Sequence, residues 1–384
     1  MNIGAFEFAT ASRIVFGAGS ADKAGKIVAG FGRRALLLSG VPDGEAALLA
    51  SMEAAGVQCV VVLIGGEPSV DSVREAANVG DGVDVVVGFG GGSAIDSAKA
   101  VAALLANGGD PLDYLEIIGR GKPLTRPSLP CVAIPTTAGT GAEVTRNAVL
   151  GSPQHRVKVS LRSPFMLPRV ALIDPLLTLT APPGITAATG LDALTQCIEP
   201  YVCNRPNPLT DALCMEGIRR AARSLARAFR NGEDLEARED MCVASLFGGL
   251  ALANAKLGAV HGFAGPIGGM FPAPHGAVCG RLLPLVMSAN IAALRERDLE
   301  SAALVRYAAI AKLVTGREDA EPQDGAKWVQ ELVKELGIPP LSRYGIGGAD
   351  LDGIIPKGEA ASSMQGNPIK LTPGELRSVL AASL

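Results

Sequence analysis

The stretch Asp84–Lys99, DVVVGFGGGSAIDSAK, decides the fold. Its apolar run predicts a buried strand over Asp84–Gly88, glycines stand at 88, 90, 91 and 92, and a helix opens near Ser93. A strand handed to a helix through glycines is the turn of a βαβ unit, and hence of a parallel sheet. A single glycine would serve a tight turn. Four let the backbone approach an anion, which free N–H groups and the helix dipole then hold. The residues alone leave both readings open, because Ser93 takes the third position of the dinucleotide fingerprint G-x-G-x-x-G.

The alternation extends on both sides. Strands are expected at Ala35–Ser39, Gln58–Ile64, Cys131–Pro135 and Val170–Ile173, with amphipathic stretches between the first ones. Ser69 is placed as an N-cap and Gly80 as a helix stop, and Asn147–Val159 reads as a hairpin turning at GSPQ. Beyond Asp174-Pro175 the strand signals cease. Helices are expected at Thr186–Val202, Pro208–Arg230, Leu235–Val260, Ala277–Arg297, Ala302–Val314 and Asp324–Leu336. The fold class is therefore an α/β nucleotide-binding domain with a Rossmann-like parallel sheet, residues 1–182, followed by an all-helical domain, 183–384. Pro182, Pro183 and Gly184 mark the boundary.

Composition narrows the function. Among 384 residues, 35 Lys+Arg face 38 Asp+Glu, which excludes a basic field for nucleic acid or an anionic membrane. Prolines 266, 272 and 274 interrupt the longest uncharged run, Leu257–Gly280, so no spanning helix is expected there. Seven scattered cysteines without a C-x-x-C spacing argue against disulfides and a cysteine zinc site. Glu7 stands where a signal peptide needs its apolar core, so a reducing cytoplasm is the expected compartment.

Two further constellations carry chemistry. Pro135–Thr145, PTTAGTGAEVT, follows the strand at Cys131 and offers hydroxyl and backbone donors where open α/β sheets bind ligands; a polar threonine turn is the bland alternative. Two of the three histidines, His261 and His275, flank a Gly/Pro-rich segment read as a loop that lets them converge. Asp192 and Gln196 sit at i and i+4 on one helix face, so a carboxylate, an amide oxygen and two imidazoles could ligate a divalent metal. The competing reading is a pair of hydrogen-bonded structural histidines and an aspartate serving a helix turn. His155, without partners in sequence, is expected to be exposed.

Together the segments IVFGAGS, GGGSAIDSAK, PTTAGTGAEVT, ALIDPLLTLTAPPGITAATGLDALTQCIEPYV, AVHGFAGPIGGMFPAPHGAVCGRLLP and QGNPIKLT resemble the iron-containing (group III) alcohol dehydrogenase family of the dehydroquinate synthase-like superfamily. The resemblance covers nearly the whole chain. It implies a nicotinamide dinucleotide held by Gly90, Gly91, Gly92 and Ser93 with Asp96 behind them, lined by Thr136, Thr137, Thr140 and Thr145, and touched by Lys158. It implies a metal, iron or zinc, at Asp192, His261 and His275, and a homo-oligomer, dimer or larger.

The departures from the family pattern are informative. The histidine four residues after Asp192 is Gln196 here, a poorer donor that weakens the metal. The family's proton-relay histidine is Gly265. Gly40 stands where relatives carry an aspartate that repels a 2′-phosphate, which admits NADP while NAD stays ahead. The implied activity is metal-assisted hydride transfer between a nicotinamide and a small primary alcohol or aldehyde, with Phe263, Met270 and Phe271 as an apolar wall. One rival is a metal-independent reductase of the maleylacetate type, with His261 or His275 as proton donor. Another is a lyase of the dehydroquinate synthase type.

Overall fold

The computed structural model describes residues 5–42 and 44–384. The chain divides into two compact units, Ala9–Thr180 and a second made of Ala181–Leu384 with the described residues before Ala9.

The α/β unit is built on strands β1 (Arg13–Phe16), β2 (Arg34–Ser39), β3 (Gln58–Leu63), β4 (Val85–Gly90), β5 (Cys131–Pro135) and β8 (Val170–Ile173), all parallel, in the order β1-β8-β5-β4-β2-β3. The central strands are buried on both faces, which is why they read as unbroken apolar runs. Leu36, Leu38 and Val86 point to the face covered by helices α3 (Val70–Val79) and α4 (Gly92–Asn107). Leu37, Val85 and Val87 point to the face covered by α1 (Ala24–Ala29) and α2 (Ala46–Ala54). Helix α2 thus leaves β2 on one face while α4 leaves β4 on the other, and β2 and β4 are neighbours. Their carboxyl ends form the switch point at which open α/β sheets bind ligands. Gly40 follows β2 there, its N–H donating to Phe89 O at 2.8 Å.

Ser69 caps α3 as its sequence suggests, accepting from Ser72 N–H at 3.0 Å. The hairpin is formed by β6 (Asn147–Ser152) and β7 (Val157–Arg162), turning over Pro153–His155. Strand β1 has no counterpart in the expected set: at four residues, mostly exposed on the sheet edge, it carries too little apolar pattern to be read. A short helix, α5 (Pro111–Tyr114), follows α4.

The second unit is helical: α6 (Pro183–Val202), α7 (Pro208–Arg230), α8 (Leu235–Asn254), α9 (Ala259–Met270), α10 (His275–Arg297), α11 (Ala302–Thr315), α12 (Pro322–Glu335), α13 (Leu351–Ala360) and α14 (Pro373–Ser383). Proline in the first turn and side-chain caps such as Asn207, which accepts from Thr210 N–H at 3.0 Å, set several of the starts. The helix expected to run unbroken over Leu235–Val260 is two helices bent by 95° between Asn254 and Ala259. The backbone is extended at Ala255 and Gly258, and the Gly/Pro segment read as a loop is mostly α9, with Pro266 inside it. Helix α10 is long and apolar enough to cross a membrane by length and composition alone, but 72% of its apolar window is buried within the chain.

Lys99 holds the α/β unit's ligand loops together. Wholly buried on α4, its Nζ donates to Ala142 O (2.8 Å), Thr145 Oγ1 (2.9 Å) and Asn147 O (2.5 Å), and pairs with Asp96 Oδ1 at 2.9 Å. Asp96 Oδ2 in turn accepts from Val149 N–H at 2.9 Å. Removing one member of a buried ion pair strands the other and typically costs about 3–5 kcal/mol. Lys99→Met is therefore expected to lower the urea midpoint by a comparable loss of stability; an unchanged midpoint would show that this clamp carries no weight.

Candidate active site

The helical unit gathers one cluster of potential ligands. Asp192, Gln196 and Glu199 share one face of α6, and all are buried. His261 lies in the first turn of α9, His275 opens α10, and Cys279 follows one turn later. Close packing of α10 on α6 makes the cluster possible. A Cβ at Gly276 would stand 2.3 Å from Ala188 O, and one at Gly280 would stand 2.6 Å from Leu191 Cδ1, so no larger residue lets these backbones approach.

Asp192 Oδ1 lies 3.4 Å from His261 Nε2 and 3.7 Å from His275 Nε2. Cys279 Sγ lies 3.9 Å and 3.6 Å from the same two nitrogens. One ligand atom from each of these four residues falls within 4.8 Å of every other. Glu199 positions His261: its Oε2 is 2.6 Å from Nδ1, and its Oε1 accepts from Val260 N–H at 2.7 Å. That bond turns Nε2 inward as the free nitrogen. Asn367 supports the same helix start, accepting from Ala259 N–H at 3.1 Å and pairing with Asn290.

The electrostatics ask for a cation. Burial opposes a charge on either imidazole, yet the sulfur of Cys279 and the carboxylate of Asp192, with Glu199 beside His261, raise both histidines above their ordinary range, His261 well above it. Burial would likewise raise Asp192, but His275, His261 and the Gln196 amide hold its carboxyl below the usual range. Asp192 Oδ1 and Gln196 Oε1 are both buried without a hydrogen-bond partner. Orphaned acceptor oxygens are costly in a protein interior, and a divalent metal satisfies both. The donor set fits the group.

In the α/β unit, β4 runs through Gly90, two residues beyond the expected end, and α4 begins at Gly92 with no side chain capping it. The uncapped start of this 16-residue helix leaves N–H donors for an anion. The two loops abut: a Cβ on Gly92 would lie 2.8 Å from Thr140 Oγ1, and one on Gly91 would lie 3.3 Å from Thr137 Oγ1. Gly90, at φ +146°, packs on Gly40, and Thr136 N–H donates to Gly90 O at 2.9 Å. Ser93 lies in the first turn of α4. Asp96 and Thr145 make their bonds inside the protein, through Lys99, and Lys158 on β7 pairs with Glu67. His155 is exposed, its Nδ1 2.8 Å from Ser152 Oγ. Phe263, expected in an apolar wall, is instead fully buried, so close to α13 that a Cβ on Gly358 would meet its ring at 2.5 Å.

Comparison with known proteins agrees with this architecture. The family model described as iron-containing alcohol dehydrogenase matches residues 11–175, and that of the Fe-containing alcohol dehydrogenase family, C-terminal, matches residues 186–384. The chain is 37% identical over 335 residues to a 1,3-propanediol dehydrogenase of Klebsiella pneumoniae, covering 83% of each chain. It is 34% identical over 322 residues to an NAD-dependent methanol dehydrogenase of Bacillus methanolicus, covering 83% of this chain and 82% of that one. A crystal structure of a 1,3-propanediol oxidoreductase superposes with a TM-score of 0.90 at 32% identity, over 99% of this chain and 100% of that one. The chain belongs to the iron-containing alcohol dehydrogenase family. It is an alcohol dehydrogenase, an oxidoreductase working between an alcohol and its aldehyde with NAD(H), in a family whose second cofactor is a divalent metal.

Glu143, in the threonine loop, gives this region a pH signature. Burial pushes its carboxyl up to about 7, only partly offset by a backbone hydrogen bond and by Lys99. Below its ordinary value of 4.5 the group is protonated whether the chain is folded or not. As pH climbs from there towards 7, the unfolded chain loses the proton first and stability falls, by about 3 kcal/mol in all. Glu143→Gln should flatten stability between pH 5 and 7 relative to the parent. Parallel slopes of denaturation midpoint against pH in the two proteins would contradict this.

Proposed function

We propose that this dehydrogenase interconverts a small primary alcohol and its aldehyde with NAD, assisted by a divalent metal at Asp192, Gln196, His261 and His275. The carrying observation is the pair of orphaned, buried oxygens, Asp192 Oδ1 and Gln196 Oε1, beside two imidazoles. When bound, the metal supplies Lewis-acid polarisation of the substrate oxygen and the nicotinamide supplies the hydride acceptor. The protein's part is positional. Glu199 keeps the Nδ1 proton on His261 so that Nε2 faces the centre, and Asp192 supplies the negative charge. With no side chain at Gly265, the hydroxyl proton leaves by water, a cofactor hydroxyl or another route in place of the family's relay imidazole. Small substrates fit two of the relatives, which act on methanol and 1,3-propanediol, while a third is a long-chain-alcohol dehydrogenase.

Support for NAD over NADP comes from β2. Arg33 and Arg34 lie at its amino end, where their backbone N–H groups bind Asp84, so neither can clamp a 2′-phosphate at the carboxyl end. A carboxylate does stand at that end: Glu45 Oε2 is 3.3 Å from Ser39 Oγ. It would repel a 2′-phosphate in place of the aspartate that Gly40 lacks. The edge strands expose Ile14 and Phe16 on β1 and Val60, Val61 and Leu63 on β3, which supports a homo-oligomer.

Gln196 favours the metal-independent reading, since the amide replaces an imidazole. Against it, Asp192 Oδ1 and Gln196 Oε1 would both stay buried without a hydrogen-bond partner. The lyase reading needs free basic groups near the histidines, but the arginines of α7 are engaged: Arg220 and Arg223 pair with Asp240, and Arg227 pairs with Asp234.

Elemental analysis joined to NADH turnover with short aldehydes tests the metal reading. Asp192→Ala should lose both the metal and activity, the latter on the order of 100-fold. Metal-free protein that reduces aldehydes at the full rate would hand the function to the metal-independent mechanism. For the dinucleotide, Glu45→Gln should lower KM for NADP about tenfold with little change for NAD, a repulsion of about 1–2 kcal/mol between the half-buried carboxylate and the phosphate. A parent enzyme that already prefers NADP would refute the NAD assignment.

A further inference from the structure

Gln196 leaves the metal short of a strong donor, and a second residue stands where such a donor is needed. We infer that Cys279 Sγ is a metal ligand in this chain, completing with Asp192, His261 and His275 a site whose thiolate favours zinc or cobalt over iron. The inference rests on the metal reading above and names a ligand that reading does not contain.

Geometry carries it. Tetrahedral zinc, with bonds of about 2.0–2.2 Å to N and O and about 2.3 Å to S, sets N···O edges near 3.4 Å and S···N edges near 3.6 Å. The observed N···O separations are 3.4 and 3.7 Å, and the observed S···N separations are 3.9 and 3.6 Å. Four edges of a coordination polyhedron are thus already in place.

Charge agrees. Asp192 with Gln196 and two neutral imidazoles brings one negative charge to a divalent cation in a buried site. A thiolate from Cys279 brings a second negative charge into the coordination shell itself, with the Glu199 carboxylate one residue further out on His261 Nδ1. The Gln196 amide N–H remains a hydrogen-bond partner for Asp192, and its unpartnered Oε1 stays available to the ion as a weaker donor. Binding exchanges the thiol proton, released to solvent, for a sulfur–metal bond. Cys197, also buried, lacks such surroundings, its Sγ turning to Ala244 O at 3.6 Å. Thiolate among nitrogen and carboxylate donors shifts preference towards softer metals.

The test is cobalt substitution of the full-length protein, with cobalt content measured in parallel. A sulfur-to-cobalt charge-transfer band in the near ultraviolet is expected for the parent and for Gln196→Ala, and its loss is expected for Cys279→Ser at unchanged far-ultraviolet circular dichroism. Stoichiometric cobalt without the band, or a band that survives Cys279→Ser, overturns the sulfur ligand and leaves the metal reading standing. No cobalt bound to the parent overturns both. Should Cys279→Ser fail to fold, X-ray absorption of the zinc-loaded parent decides: one sulfur at about 2.3 Å supports the assignment, and a shell of N and O alone refutes it.

Discussion

A buried carboxylate with one unbonded oxygen is the constraint on which the helical unit turns. Ionised Asp192 in a protein interior costs several kcal/mol unless opposite charge and hydrogen bonds meet it. Everything around it reads as that compensation. Two imidazoles approach the same Oδ1, glycines at 276 and 280 let α10 come close enough to bring one of them, and the sharp bend before α9 delivers the other. Glu199 and Asn367 then fix the start of α9, so His261 has no freedom to turn away. A helical bundle needs none of this for stability.

The α/β unit uses a mirror-image device. Its buried charge is the cation Lys99, and it is fully compensated within the protein by two carbonyls, a threonine hydroxyl and Asp96. The difference has a physical meaning. A charge satisfied internally holds loops in place, whereas a charge with an unsatisfied oxygen awaits a partner from outside. Lys99 joins the helix that begins at the glycine loop to the end of the threonine loop, so the donors at the switch point between β2 and β4 are preset. Ordering them in advance removes an entropic cost from dinucleotide binding.

How far the sequence could be read follows from the kinds of signal available. Strands β2, β4, β5 and β8 are buried on both faces and announce themselves as apolar runs. Strand β1 is short and exposed and does not. The glycine and threonine loops were legible because their composition is unusual, and Asp192, His261 and His275 because histidine is scarce. Helix α9 was not legible: glycine and proline are breakers by propensity, and packing overrides propensity there. Glu199 and Cys279 also escaped, though each leaves a trace. Glu199 stands seven residues after Asp192, and Cys279 four after His275, both helical spacings that return to the same face. The absence of C-x-x-C pairs says nothing of a single cysteine sharing a site with histidines.

That spacing also explains how a family ligand can be lost without loss of the site. Position 196 lies one turn beyond Asp192 on α6, and position 279 lies one turn beyond His275 on α10. Because α6 and α10 are in close contact through Gly276 and Gly280, a side chain one turn along either helix reaches the same point. The fold therefore offers two places for a fourth donor, and moving it from one helix to the other needs no shift of backbone. Imidazole at 196 and thiolate at 279 together would crowd the centre. A weaker amide donor at 196 leaves room for sulfur, so the departure from the family pattern and the cysteine facing the histidines are two halves of one exchange.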